Sequence, residues 1–207
     1  MYLKEVLLEN FKSFGRRVTI PLQQGYTVIT GPNGSGKSNI SDAILFVLGP
    51  KSSKVIRAGK LTDLVYNGGR SKNGAQHATV TLKFDNSDRM IPIDSDEVSL
   101  TRTVRISQEG EGYSSYFYVN DRKSSLTEFD FLLKEAKLSA DGYNFVQQGD
   151  VTRIVEMGNV ERRRIIDEIA GISAFDAEIE KAEKEREAVD LNISSAHSVL
   201  SELRKEL

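Results

Sequence analysis

The sequence predicts an α/β fold in which a glycine-rich loop joins a strand to a helix, an antiparallel β-subdomain follows, and a C-terminal coiled-coil helix ends the chain. Three observations carry that prediction. The apolar, β-branched stretch Tyr26 to Thr30 runs through Gly31-Pro32-Asn33-Gly34-Ser35-Gly36-Lys37-Ser38 into residues of helical periodicity. Between His77 and Asn120 apolar residues alternate with polar ones, the period of a half-buried strand. From 159 to 207 there is no proline, one glycine (Gly171) and dense charge of both signs.

The elements follow in order. Tyr2 to Phe11 and Val18 to Pro21 read as short strands joined by a turn at Gly15, and Tyr26 to Thr30 as a buried strand. Beyond Ser38, Ile40, Ala43, Ile44, Val47 and Leu48 recur at helical spacing until Gly49-Pro50 stops the helix. Residues 49–76 are polar and glycine-rich around one apolar knot (Leu61, Leu64, Val65), which predicts a long loop with a short helical turn. Ala78, Val80, Leu82 and Phe84 alternate inward, and the runs Leu100 to Ile106 and Tyr113 to Val119 predict a hairpin turning near Glu109 to Gly112. Leu126 to Ala136 is a predicted helix with Ser125 and Glu128 at capping-box spacing. In the C-terminal stretch Ile179, Ala182, Val189, Ile193, Ala196, Leu200, Leu203 and Leu207 fall three and four apart, broken by Arg186. Such a seam calls for a second helix.

Composition narrows the function classes. The 207 residues include no cysteine, which excludes disulfides, thiolate zinc sites and cysteine nucleophiles. Charged residues among the first fourteen rule out a signal peptide, and no apolar run approaches a membrane span, so a cytoplasmic protein with no membrane partner is expected. The net charge of −2 is not that of a strongly basic nucleic-acid binder. The most basic stretch, 51–72, carries Lys51, Lys54, Arg57, Lys60, Arg70 and Lys72 against Asp63 alone; a solvated loop has that composition as readily as a phosphate-binding surface.

Gly31 to Ser38 fits G-x-x-x-x-G-K-[ST] at every position. The spelling has a physical reason. Glycines let backbone N–H groups curl around phosphate oxygens, and the helix that follows offers its unpaired donors and positive dipole end. Lys37 is placed to pair with β- and γ-phosphate oxygens, and Ser38 to put a hydroxyl on Mg²⁺. Pro32, Asn33, Gly34, Ser35, Gly36 and Asn39 complete the expected binding set. A GTPase reading lacks an N-K-x-D element, and a small-molecule kinase reading lacks an arginine-rich lid and a carboxylate ending a second parallel strand.

Four segments in order then resemble the SMC family of chromosome ATPases, which belong to the ABC class: Asn10-Phe11-Lys12-Ser13-Phe14-Gly15; Gly31 to Ser38 running on through Gly49; Tyr143-Asn144-Phe145-Val146-Gln147-Gln148-Gly149-Asp150; and Glu161 to Ile172. The likeness covers essentially the whole chain and has the prokaryotic character of a cysteine-free sequence. Heads of the zinc-hook repair ATPase, RecF and RecN proteins are similar in the first segment but not in the last two together, and a repair ATPase of that kind is the alternative.

The resemblance implies a P-loop NTPase fold of the ABC-type head lobe, with residues 1–160 as the N-terminal ATPase lobe and 161–207 as the start of a coiled-coil arm. It implies ATP and Mg²⁺ as cofactors. Gln148, more than Gln147, matches the glutamine that reaches Mg²⁺ and the attacking water, a task that suits an amide because it both donates and accepts. Arg57 matches an arginine that acts near the nucleotide when heads engage, alongside Lys37 as the other catalytic cation. Lys12 and Ser13 match a loop beside the P-loop, and Asp63 and Tyr66 the region that wraps the base. Implied partners are the C-terminal lobe of the same head, a second head in a homodimer, a kleisin-type subunit and DNA bound without sequence preference; the implied place is the nucleoid.

Ile165-Ile166-Asp167-Glu168 has the look of a Walker B end, but three arginines precede it and the pattern around it is helical, whereas Walker B ends a buried strand. No Leu-Ser-Gly-Gly occurs either. Both elements are expected on the C-terminal lobe. A stand-alone P-loop enzyme would need a second carboxylate motif on a buried strand, and a coiled-coil module with a vestigial loop would not need Lys37, Ser38 and Gln148 intact.

Overall fold

Six strands, all antiparallel to their neighbours, form one sheet in the order β2-β1-β3-β4-β5-β6: β1 (Tyr2–Glu9), β2 (Val18–Pro21), β3 (His77–Asp85), β4 (Glu97–Ile106), β5 (Tyr113–Val119) and β6 (Arg122–Ser124). The computed structural model describes residues 1–49, 58–69, 73–107, 112–138, 145–146, 158–169 and 173–206. It divides into two units, Met1–Phe145 and Val146–Leu207.

The alternation read from the sequence is the alternation of burial. Ala78, Val80, Leu82 and Phe84 of β3 face Val104, Arg102, Leu100 and Val98 of β4 on the inner side. Across the other edge Val6 and Leu8 of β1 pair with Leu82 and Val80. Each Val, Leu and Phe side chain among these contributes about 1.5–3 kcal/mol on leaving water. On the opposite side the Thr79–Thr103 and Thr81–Thr101 hydroxyl pairs, at 2.9 and 2.8 Å, tie β3 to β4.

Helix α1 (Lys37–Leu48) lies against β1, β3 and β4 and buries Ala43, Leu45, Phe46, Val47 and Leu48. The apolar knot forms a 3₁₀ turn, Leu61–Leu64. Helix α2 (Leu126–Glu135) packs its Phe129 ring 5.1 Å from that of Phe117 in β5. Its capping box forms by half: Ser125 Oγ accepts the Glu128 N–H at 3.1 Å, but the Glu128 carboxylate accepts from the Ser124 hydroxyl at 2.7 Å. The sequence reading did not resolve β6. It pairs with β5 through a two-residue turn, Asn120 and Asp121, both at positive φ (47° and 62°), where short polar side chains are tolerated.

One expected element differs. Tyr26 to Thr30 forms no strand, and Tyr26, Val28 and Ile29 are 93, 61 and 43% exposed. The residue types are strand formers, but a strand exists only where a neighbour takes its backbone hydrogen bonds, and among the described residues none pairs with it.

The second unit holds α3 (Asn159–Ile169) and α4 (Ser173–Glu206), both within the helical stretch expected after Gly158. The 34 residues of α4 span roughly 51 Å, and the seam residues Ile179, Val189 and Ile193 are exposed along it. Ile165 to Glu168 lie in α3, not on a strand. No described helix is long and apolar enough to cross a membrane.

Candidate nucleotide-binding site

The glycine-rich loop is shaped by two residues in the left-handed region, Gly34 (φ 82°) and Gly36 (φ 93°, ψ 7°), the second serving as N-cap of α1. A side chain is disfavoured at Gly36 on two counts. The backbone conformation strains any L-residue with a Cβ, and a Cβ there would lie 3.1 Å from Ser13 Oγ and 3.6 Å from the Phe14 ring. No side chain caps α1 and its first turn has no acid. The positive end of the helix dipole is therefore left for an external anion.

Lys37 opens α1, and its ammonium donates to the Gly31 and Pro32 carbonyls at 2.6 and 2.7 Å, which holds it inside the curl of the loop. Ser35 N–H donates to Pro32 O at 3.3 Å and Asn39 N–H to Gly36 O at 2.9 Å. Pro32, Asn33, Gly34, Ser35 and Ser38 are exposed. The donor set suits a polyphosphate with Mg²⁺: a lysine in the loop, an open helix N-terminus, and an exposed Ser38 hydroxyl one residue on.

A second segment docks beside this loop. The side chains of Ser13, Lys12 and Phe11 meet α1 at Asn39, Asp42 and Phe46, successive positions on one helical face. Asn39 Nδ2 donates to Ser13 Oγ at 2.8 Å, Lys12 Nζ donates to Asp42 Oδ2 at 2.6 Å, and the Phe11 and Phe46 rings stand 5.6 Å apart at 45°. Asp42 is 2% exposed and Phe11 fully buried. Breaking a buried ion pair by removing one partner costs about 3–5 kcal/mol; Lys12, with a side chain 14% exposed, stands at the low end. Asn10 and Lys12 hold positive φ (51° and 47°), which turns the chain tightly enough for this contact.

Asp63 and Tyr66 belong to the segment that backs the docked loop. Lys12 N–H donates to Leu64 O at 2.7 Å and Tyr66 N–H to Asn10 O at 2.8 Å, while Phe11 bridges Val65. The Asp63 carboxylate accepts the Lys60 N–H at 2.8 Å and so caps its own 3₁₀ turn. The Tyr66 ring lies on Gly15, where a Cβ would come within 2.5 Å of it. Arg57, Gln147 and Gln148, with Lys51, Lys54, Arg70 and Lys72, lie outside the described residues. Sequence reasoning missed Asp42 and Phe11. The signal for Asp42 was present, an acid set among Ile40, Ala43 and Val47.

A glycine-rich loop that wraps a lysine and opens onto a bare helix N-terminus defines the P-loop class. Within it, the chain belongs to the RecF/RecN/SMC N-terminal domain family, whose model matches residues 2–202. It is 42% identical over its whole length to the chromosome partition protein Smc of Pyrococcus furiosus and 36% identical to that of Bacillus subtilis, and spans 17% of the length of each. Among solved structures it resembles the Smc head of Pyrococcus yayanosii with a coiled coil and joint, at TM-score 0.84 and 42% identity, over 99% of this chain and 39% of that one. The Pyrococcus furiosus Smc head bound to the C-terminal domain of ScpA matches at TM-score 0.83 and 41% identity, over 97% and 50%. A structure from work on ATP-driven dimerization and DNA-stimulated activation of SMC ATPases matches at TM-score 0.71 and 43% identity, over 82% and 99%.

Proposed function

We propose that the chain is the ATP-binding N-terminal lobe of a chromosome-partitioning SMC ATPase. The observation that carries this is the end of α1: Gly36 in the left-handed conformation, no acid in the first turn, and Lys37 folded into the loop. In this reading Pro32 to Asn39 cradle the phosphates, Lys37 pairs with the β- and γ-oxygens, and Ser38 and Gln148 are the Mg²⁺ ligands. The metal, when bound, neutralises charge on the phosphates and orders the water for attack. Lys12 and Ser13 approach the phosphates from the docked loop, Asp63 and Tyr66 flank the base, and Arg57 stabilises charge at the γ-phosphate.

The exposed Tyr26, Val28 and Ile29 support a further part of the proposal. Contiguous apolar exposure of strand-forming residues next to a functional loop is the mark of a surface that another element covers. We assign the cover to the C-terminal lobe of the same head, which also supplies the Walker B carboxylates. Residues 1–160 then form the lobe and 161–207 begin the arm, whose seam meets a partner helix. By analogy with the relatives, two such heads engage as a homodimer across ATP, a kleisin-type subunit binds the head, and DNA is held through its phosphates on the nucleoid.

The test is ATP turnover by this chain alone and mixed with a separately made C-terminal lobe, with Lys37→Ala as control. Turnover only in the mixture, lost in the variant, is expected. Enzymatic turnover by the chain alone would place a general base within these 207 residues and overturn the split-head reading.

A further inference from the structure

Arg102 is a cation where the pattern of β4 demands an apolar residue. It shares the inner face with Val98, Leu100 and Val104 and is 3% exposed. One terminal nitrogen donates to the Phe46 carbonyl at 2.7 Å and reaches the Gly49 carbonyl at 3.4 Å; the other reaches Ser115 Oγ at 3.5 Å. The guanidinium lies 4.4 Å from the centroid of the Phe46 ring and 5.4 Å from that of Phe117. Its Nε–H has no partner, and among the described residues no carboxylate pairs with it. Burial pushes its pKa down to about 10, so it stays charged at neutral pH.

What holds this charge is the far end of the phosphate-binding helix. The last carbonyls of a helix lack intrahelical partners and carry the negative end of its dipole. The last turn of α1 has no basic residue of its own, and Arg102 serves from another strand. Stability alone is a poor reason for the arrangement, because a buried charge without a carboxylate partner carries a desolvation cost that an apolar side chain does not. Geometry is a better one. The 12 residues of α1 make a rod of roughly 18 Å, with Arg102 gripping one end and Lys37 at the other.

We infer that Arg102 is a positioning residue for the nucleotide site: by holding the C-terminal carbonyls of α1 against β4, it fixes where Lys37 and Ser38 stand and so sets nucleotide affinity. This rests on the reading of the loop as an ATP site. The Phe46 ring contributes to the same grip, in contact with both Arg102 and the Phe11 ring of the docked loop.

The experiment compares the full chain with Arg102→Lys and Arg102→Met, at a temperature where circular dichroism shows each folded. ATP with Mg²⁺ is titrated by calorimetry, and amide exchange is followed along α1. Arg102→Met is expected to raise the Kd about tenfold, a loss of the order of one charge-assisted hydrogen bond, with Arg102→Lys between it and wild type. Exchange is expected to quicken along all of α1, Asn39 to Ala43 included, and not in β1. An unchanged Kd beside a lowered Tm makes Arg102 a core residue only and overturns the inference. Should wild type bind no ATP, the nucleotide reading falls by itself, and exchange decides positioning: unchanged protection of Asn39 to Ala43 in both variants overturns it. Arg102→Lys carries the test if Arg102→Met does not fold.

Discussion

Phe11→Ala measures how firmly the docked loop is seated on α1. Phe11 is fully buried with its ring against Phe46. Its backbone is pinned by exchange of hydrogen bonds with Phe14 at 3.0 and 2.8 Å, and by the neighbouring Lys12 N–H on Leu64 O. Those bonds keep the backbone from collapsing into the space the ring leaves, so the cost belongs in the middle of the Phe→Ala range, about 4 kcal/mol. For a domain of this size that lowers Tm by about 8–16 °C. Phe11→Leu, which keeps most of the volume, is expected to lose about 1–1.5 kcal/mol. Urea unfolding at constant m-value reads both. Because Lys12 and Ser13 follow Phe11 directly, ATP affinity is expected to fall in the same order. A loss under about 1 kcal/mol for Phe11→Ala, against the range for buried aromatic truncation, would mean the ring does not anchor the loop, and the account of how Lys12 and Ser13 reach α1 would be wrong.

Three further outcomes follow from other contacts. Gly36→Ala places a Cβ in a left-handed position and 3.1 Å from Ser13 Oγ; ATP affinity is expected to fall at least about tenfold at a local cost of about 1–2 kcal/mol, and wild-type affinity would refute the loop geometry. Asn86 is fully buried and donates to the Ile91, Ile93 and Ser95 carbonyls while accepting from Ile91 N–H. Asn86→Ala strands these groups, at about 2–4 kcal/mol by urea unfolding, and a loss within error of zero refutes the staple. Toward acid, the Lys4 hydrogen bond holds the Glu97 carboxyl below its ordinary value, and the Ser87 hydroxyl does the same for Asp85. Depressed carboxyls bind fewer protons folded than unfolded, so their stabilisation is present above about pH 4–5 and lost as pH falls through the folded values. The urea midpoint is expected to drop only below that range, modestly and less so in high salt because these groups are exposed. A midpoint that fell between pH 7 and 6 would point to other groups.

The sequence revealed most where one residue carries one constraint. Alternation gave β3 and its inner face, because a two-residue period has no other solution beside a core, while β4 was read only from Leu100 and without its face. The glycine-rich loop was legible because Gly34 and Gly36 stand where only a residue without Cβ is free of strain. Pairwise features were not legible. Lys12 and Asp42 lie thirty positions apart and Arg102 and Phe46 fifty-six, and nothing local couples them. Each left a trace as a charge at an apolar position of its period. Tyr26 to Thr30 shows the converse: the composition of a strand without a neighbour to pair with it.

The order of the strands bears on how the site comes into being. β3 pairs with β4, β4 with β5 and β5 with β6, so each strand of this meander meets the next in sequence. β1 joins it by pairing along β3, from Tyr2 with Asp85 to Glu9 with Thr79, and the glycine-rich loop, α1 and the 3₁₀ turn all lie on the roughly 70-residue excursion that this pairing closes, which carries the larger entropic cost. Refolding should therefore protect β4 and β5 amides before those of β1, as pulse-labelled exchange would read. The glycine-rich loop takes shape as this excursion is drawn shut, and pulling β1 away from β3 undoes the loop before it undoes the meander.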